Sequence, residues 1–292
     1  MRALRNRFWK GHALGNDYLV LDPSELDFRL TPRRVRALCD RHRGVGGDGV
    51  LELRPSRRAD FGLRIWNPDG SRAEKSGNGL RIFARYLHAT GRTRGTRLRV
   101  ETPGGVVAIQ LFLDRAGAAS RARVEMGRAS FEPRRLPCRL RGGELIQREI
   151  RAAGRSLRFT GVSIGNPHCV VFAPRGRRWT RAELLELGPQ LERHPVFPKR
   201  CNVQLATQVG PQALAILIWE RGAGETPASG TSACAAACAA IKLGLLASPV
   251  VVSAPGGALN VSVSDRFDVT LEGAVDEVAS GVLASGFVRA LS

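Results

Sequence analysis

Apolar and polar residues alternate at a period of two through many short runs of this chain, and in a few places the pattern shifts to a helical period. Phe61, Leu63 and Ile65 mark one face of a strand. A turn-rich loop from Trp66 to Lys75 follows, and Ser76-Gly-Asn-Gly then opens a helix with Leu80, Phe83, Ala84 and Leu87 on one side. The same build returns later. Ile216, Ile218 and Trp219 form a strand face, the segment Glu220-Arg-Gly-Ala-Gly-Glu-Thr-Pro-Ala turns, and Ser229-Gly-Thr-Ser enters a helix made almost wholly of alanine and cysteine.

Between these stretches the pattern predicts mostly short strands. Residues 7 to 22 read as strand, Gly15-Asn16 turn and strand. Thr31 caps a short helix with proline at its first position. His42 to Gly49 is a glycine-rich loop entering a strand, Leu98 to Leu111 a hairpin about Pro103-Gly-Gly, and Ala122 to Met126 a further strand. Residues 132 to 155 are basic and irregular, with loops and short strands expected. Gly161 to Phe172 is again strand, Gly165-Asn166 turn and strand. Thr180 caps a helix reaching about Leu191, with Glu183 as the acid of a capping box. A strand begins at Asn202, and Val250 to Val263 forms a second hairpin about Pro255-Gly-Gly.

Spacing relates the two sets. The offsets are 165 − 15 = 150 for Gly-Asn, 219 − 66 = 153 for tryptophan, 229 − 76 = 153 for Ser-Gly and 255 − 103 = 152 for Pro-Gly-Gly. Four landmarks in the same order at nearly constant spacing imply two homologous halves. Related halves pack about a pseudo-two-fold axis, with a ligand cleft expected between them. Each Ser-Gly helix start offers unpaired backbone N–H groups and a positive dipole end, which suit a carboxylate. Gly77, Gly79, Gly230 and Ser232 would let a ligand approach the backbone closely. One glycine-rich helix start alone would carry no such meaning.

Composition narrows the class. With 43% hydrophobic and 24% charged residues in 292, the chain reads as a soluble globular protein of one large or two ordinary domains. No run approaches the ~18 apolar residues of a membrane span, and the N-terminal segment lacks a signal-peptide core, so a cytoplasmic protein is expected. The net charge of +19 comes from arginine, since 41 of the 45 basic residues are Arg. They spread along the whole chain without interleaved aromatics, so no specific nucleic-acid partner is predicted, only salt-sensitive adhesion to polyanions. Six cysteines show no metal-binding spacing and read as free thiols. No cofactor is expected.

On several of these motifs the chain resembles the diaminopimelate epimerase family of cofactor-independent amino-acid epimerases. The motifs are Gly15-Asn16-Asp17, Asp40-Arg-His-Arg-Gly-Val-Gly-Gly-Asp48-Gly, Asn67-Pro-Asp-Gly, Ser76-Gly-Asn-Gly, Gly165-Asn-Pro-His168, Asn202-Val, Glu220-Arg-Gly-Ala-Gly-Glu-Thr, Ser229-Gly-Thr and Pro255-Gly-Gly. The resemblance implies an α/β (α+β) fold of two pseudo-symmetric domains, each a mixed β-sheet rolled around a central helix, with the last strand returning to the first domain. The domains would comprise residues 1–121 plus 278–292, and 122–277. It implies interconversion of LL- and meso-diaminopimelate, or of a related amino acid, in the supply of lysine and peptidoglycan precursors, with a homodimer as the assembly. Carried over by motif, Asn16, Asn67, Asn166, Asn202 and Arg221 bind the polar groups of the substrate. Gly77, Asn78, Gly230 and Thr231 form the carboxylate-binding helix starts, and His168 and Glu220 are the polar pair beside the reacting carbon.

The family uses one thiol on each face of the substrate, one taking the α-proton and the other returning one. The matching positions here are Ser76 and Ser229. A free thiol has a pKa of ~8.5 and a helix N-terminus lowers it, whereas an alkyl hydroxyl needs an adjacent base before it can act. Three readings follow: a natural branch with altered or weakened chemistry, a deliberate isosteric replacement in an ordinary epimerase, and an amino-acid-binding protein without turnover. Lys75 and Ser232, both unusual for the family, favour the natural branch. Within it, Glu220 and His168 are the candidate bases for a one-base isomerisation like that of the related phenazine-pathway enzyme.

Overall fold

In the computed structural model, which describes residues 5–291, the chain divides into two compact units, Met1–Val124 with Gly273–Ser292, and Glu125–Glu272. The first break falls within the strand Ala119–Arg128 and the second within the strand Asp268–Ala274.

The first unit begins with β1 (Arg7–Ala13) and β2 (Asn16–Leu21), joined by the expected Gly15-Asn16 turn. Gly15 has φ +82°, which a side chain would strain. Helix α1 (Pro32–Cys39) follows, capped by Thr31 Oγ1 accepting from Arg34 N at 3.3 Å. Next come β3 (Val50–Arg54), β4 (Phe61–Trp66) and the two-residue β5 (Arg72–Ala73). Helix α2 (Gly77–Ala89) then crosses the unit before β6 (Arg97–Thr102), β7 (Gly105–Leu113) and β8 (Ala119–Arg128). Period-two burial is plain in β6, where Leu98, Val100 and Thr102 point inward and Arg97 and Arg99 outward.

The second unit starts with β9 (Arg148–Ala152), β10 (Arg155–Ser163) and β11 (Pro167–Phe172). Helix α3 (Arg181–Glu192) has the capping box anticipated from Thr180 and Glu183. The strands β12 (Asn202–Gly210), β13 (Ala213–Glu220) and β14 (Gly224–Thr226) lead to helix α4 (Gly230–Lys242). Then β15 (Val250–Ala254), β16 (Gly257–Val263) and β17 (Asp268–Ala274) complete it. The chain ends with β18 (Asp276–Val282) and a short helix, α5 (Ser285–Ala290).

Pairing makes the duplication concrete. In the first unit the neighbours run β18, β1, β2, β3, β4, β6, β7, β8, with antiparallel, antiparallel, parallel, antiparallel, parallel, antiparallel and antiparallel contacts. In the second they run β9, β10, β11, β12, β13, β15, β16, β17 with the same sequence of contacts. The outer strand of the first unit is thus the returning C-terminal β18, where the second unit uses its own β9.

Each mixed sheet wraps one helix. Helix α2 packs on β1, β2, β7 and β18, and buries Leu80, Ile82, Phe83, Ala84, Tyr86 and Leu87. Helix α4 packs on β10 to β13, β15 and β16 and is buried from Gly230 through Ala240 except at Thr231. Its Ala and Cys side chains explain this: small residues on every face let strands approach from every side, so no amphipathic stripe is needed. All six cysteines are free, five of them buried and Cys138 partly so.

Candidate active site

Both Ser-Gly pairs start helices, as the sequence implies. Ser76 is the N-cap of α2 with φ −141°, and Ser229 the N-cap of α4 with φ −148°. The two approaches are braced alike: Gly104 N, from the first Pro-Gly-Gly hairpin, donates to Glu74 O at 3.1 Å, and Gly256 N, from the second, donates to Pro227 O at 2.8 Å. Each acceptor lies two residues before its serine. The hairpins therefore hold the entry to each helix and leave the first-turn N–H groups of Gly77, Asn78, Gly230 and Thr231 facing away from the helix body.

The serines differ. Ser76 Oγ accepts from Gly79 N at 3.0 Å, an ordinary N-cap. Ser229 makes no capping bond and its side chain is buried. Helix α2 thus spends its cap hydroxyl on its own backbone, and α4 does not.

A polar relay surrounds the start of α2. Arg41 bridges two carboxylates, donating to Asp17 Oδ1 at 2.6 Å and to Asp48 Oδ1 at 2.8 Å, while Lys10 Nζ lies 3.0 Å from Asp17 Oδ2. Burial raises the pKa of Asp17, but the bonds from Arg41 and Lys10 outweigh it and hold the carboxyl below its ordinary value. Asp48 Oδ2 accepts from Asn16 Nδ2 at 2.8 Å, Asn16 Oδ1 accepts from Asn78 Nδ2 at 3.1 Å, and Asn78 Oδ1 accepts from the buried Arg81 at 2.9 Å. One end of this relay is a carboxylate, which only accepts, and the other a guanidinium, which only donates, so the sense of both amides is fixed. Asn67 folds back on its own loop, donating from Nδ2 to Ser71 Oγ at 2.9 Å.

The second unit holds a different relay. His168 is fully buried; its Nε2 lies 2.9 Å from Asn166 Oδ1 and its Nδ1 3.0 Å from Gln204 Nε2. Gln204 also donates to Ser232 Oγ at 3.0 Å, and Asn166 Nδ2 to Thr231 Oγ1 at 3.4 Å. Burial pushes the His168 pKa down to about 3. Asn202 is occupied within the fold, its Nδ2 donating to Pro167 O at 3.1 Å and its Oδ1 accepting from Arg221 N at 2.9 Å. Glu220 ends β13 at the turn whose Ala223 N donates back to its carbonyl at 3.1 Å. The Arg221 side chain is exposed.

Of the residues expected from sequence, Asn16 and Asn78 meet at the start of α2, and Asn166, His168 and Thr231 at the start of α4. Asn67 is tied to its own loop, and Asn202 to backbone at the start of β11 and at the turn after β13. Gln204 was not anticipated; its signal is a polar residue between apolar neighbours, Val203-Gln204-Leu205. The carboxylates beside the two tryptophans were also missed. Trp66 Nε1 donates to Glu52 at 2.8 Å, and Trp219 Nε1 to Glu192 at 3.0 Å. Glu52 comes from β3 and Glu192 from α3, so no constant offset links them.

Comparison with known proteins bears on the whole chain. The family model described as diaminopimelate epimerase matches residues 8–132 and 160–277. Diaminopimelate epimerase 2 of Nostoc sp. is 43% identical over 282 residues, covering 96% of each chain. Among solved structures, a probable proline racemase from Agrobacterium radiobacter superposes with a TM-score of 0.71 at 15% identity, covering 96% of this chain and 93% of that one. A phenazine biosynthesis protein from Bacillus anthracis does so with a TM-score of 0.67 at 16% identity, over 97% and 100%. Likeness at that identity concerns the fold.

Proposed function

The chain belongs to the diaminopimelate epimerase family, and from that premise we propose that it inverts an amino acid at the α-carbon without a cofactor, interconverting LL- and meso-diaminopimelate. The observation that carries the reading is the duplicated helix start, Ser76-Gly-Asn-Gly on α2 and Ser229-Gly-Thr-Ser on α4, each braced by its Pro-Gly-Gly hairpin. Inversion needs one proton-handling group for each face of the α-carbon, and the duplication supplies one per unit.

In this reading the first-turn N–H groups at Gly77, Asn78, Gly230 and Thr231 bind the carboxylate. As the α-proton leaves, the C–H electron pair spreads onto that carboxylate, and the helix starts stabilise the growing charge. A proton returned to the opposite face completes inversion, with no net change in atoms. Asn16, Asn67, Asn166, Asn202 and Arg221 orient the remaining polar groups. Ser76 and Ser229 occupy the two proton-handling positions. Of the polar pair expected beside the reacting carbon, Glu220 is the candidate base, because burial holds His168 neutral and closed to solvent. The six free thiols suit the reducing cytoplasm.

The test is α-hydrogen exchange with diaminopimelate in deuterated water, comparing the protein with its Ser76→Cys, Ser229→Cys double variant. A positioned general base is worth ~10²- to 10⁴-fold, and the thiol variant is expected to exchange faster by a factor of that order. Equal rates would move proton transfer to another group, Glu220 first. No exchange in either form would defeat the epimerase reading and leave an amino-acid-binding role, which calorimetry would then detect.

A further inference from the structure

Asn16 and Asn166 are equivalent by the 150-residue offset, and their partners Asn78 and Thr231 by the 153-residue offset. Both pairs touch, at 3.1 and 3.4 Å, but in opposite senses. Asn16 accepts from the helix start of its unit. Asn166 donates to its own.

In the first unit the cause is Asp48, whose carboxylate takes the Asn16 amide N–H and leaves the carbonyl to face Asn78. In the second unit the Asn166 amide meets Thr231 and His168. A neutral imidazole either donates or accepts at Nε2 according to its tautomer. The tautomer is decided one residue further back. Both Gln204 N–H groups are used, one on His168 Nδ1 at 3.0 Å and one on Ser232 Oγ at 3.0 Å. An Nδ1 that accepts carries no proton, so the ring proton sits on Nε2 and is donated to Asn166 Oδ1. With its carbonyl taken, Asn166 turns its amide N–H towards Thr231.

The reverse sense is disfavoured by a simple count. As arranged, Gln204 Oε1 is buried without a partner. Turning the amide over would put its two N–H groups in that same place, stranding two donors instead of one acceptor.

We infer that Gln204 is a positioning residue of the site: acting through the His168 tautomer, it sets the sense of the Asn166 amide, so that this half-site presents a donor where the other presents an acceptor. His168 then relays orientation from Gln204 to Asn166. The inference rests on the proposed function only for its kinetic consequence.

Two isosteric or near-isosteric variants test it. Gln204→Glu replaces both donors with acceptors, which favours a proton on His168 Nδ1. Gln204→Met removes donor and acceptor alike and serves if the glutamate form fails to fold. Long-range proton–nitrogen correlation spectra of the imidazoles identify which ring nitrogen bears hydrogen. The expected pattern is protonated Nε2 with bare Nδ1 in the unaltered protein, protonated Nδ1 in the glutamate form, and an averaged pair in the methionine form. Protonated Nδ1 in the unaltered protein, or an unchanged pattern in folded variants, would overturn the inference.

The kinetic arm uses the thiol double variant as background. With the Asn166 amide misdirected, KM for diaminopimelate is expected to rise about tenfold, the worth of one good hydrogen bond, with a smaller change in kcat. A reversed tautomer with unchanged KM would overturn the positioning role. Failure of the thiol background itself to turn over would count against the epimerase reading and leave the spectroscopic result standing.

Discussion

A neutral, sealed histidine has a thermodynamic signature that acid exposes. His168 titrates at about 3 in the folded protein and at ~6.5 once unfolded. The folded pKa is the lower one, so the unfolded state binds the proton more readily. Stability is therefore complete above pH ~6.5 and falls as pH drops from there towards 3, by about 1.4 kcal/mol per pH unit in the linear range. Between pH 7.5 and 5.0 this single group should cost about 2 kcal/mol. Acidic groups with lowered pKa values, such as Asp17 and Glu183, also weaken the fold in acid. Comparison with a His168→Asn variant removes their contribution, because it is common to both proteins. The variant should be less stable at pH 7.5, since Gln204 loses a buried partner, and the gap should close by about 2 kcal/mol by pH 5.0 in urea denaturation. A gap that stays constant over this range would mean that His168 titrates normally in the native state, and the sealed-relay description would fail.

Two further outcomes are expected. Burial pushes the thiol of Cys39 up to about 12 and raises those of Cys138, Cys201 and Cys238, so the native protein should react with an aromatic disulfide reagent at no site faster than the half-buried Cys138, and at all six cysteines in guanidinium; rapid native labelling of two or more thiols would contradict this. Gly188 lies where a Cβ would come within 2.8 Å of the Trp219 ring, which its bond to Glu192 holds in place. Gly188→Ala should therefore lose ~1–3 kcal/mol by overpacking, despite the better helix propensity of alanine, and a stabilised variant in urea denaturation would show that the ring moves aside.

The scaffold was legible because its signals are local. Thr31 with Pro32, Thr180 with Glu183, the Gly-Asn turns and the Ser-Gly helix starts each fix a few neighbouring dihedral angles, and the 150- to 153-residue offsets announced the duplication. The polar wiring was not legible, for the opposite reason. Asn16 and Asn166 are the same residue in the same motif, and what separates them is Asp48 in one unit and Gln204 in the other, each more than thirty residues distant and on a different strand or loop. Glu52 and Glu192 serve their tryptophans from unrelated elements. Such partners are chosen by tertiary proximity, to which periodicity and spacing are blind. His168 is the clearest case: its motif marks it as a site residue, and only its surroundings reveal a fully buried imidazole with both nitrogens engaged.

The strand β18 has a consequence for synthesis. The second unit is one continuous segment, Glu125–Glu272, whereas the first takes β18 as the antiparallel neighbour of β1. On the ribosome the earlier half therefore emerges first but lacks its outer strand until the later half has been made. At ~5–20 residues per second the intervening 272 − 124 = 148 residues take about 7 to 30 s. During that interval the open edge of β1 is a ready template for another nascent chain. The order of completion reverses the order of translation: the second unit is made before the first receives β18.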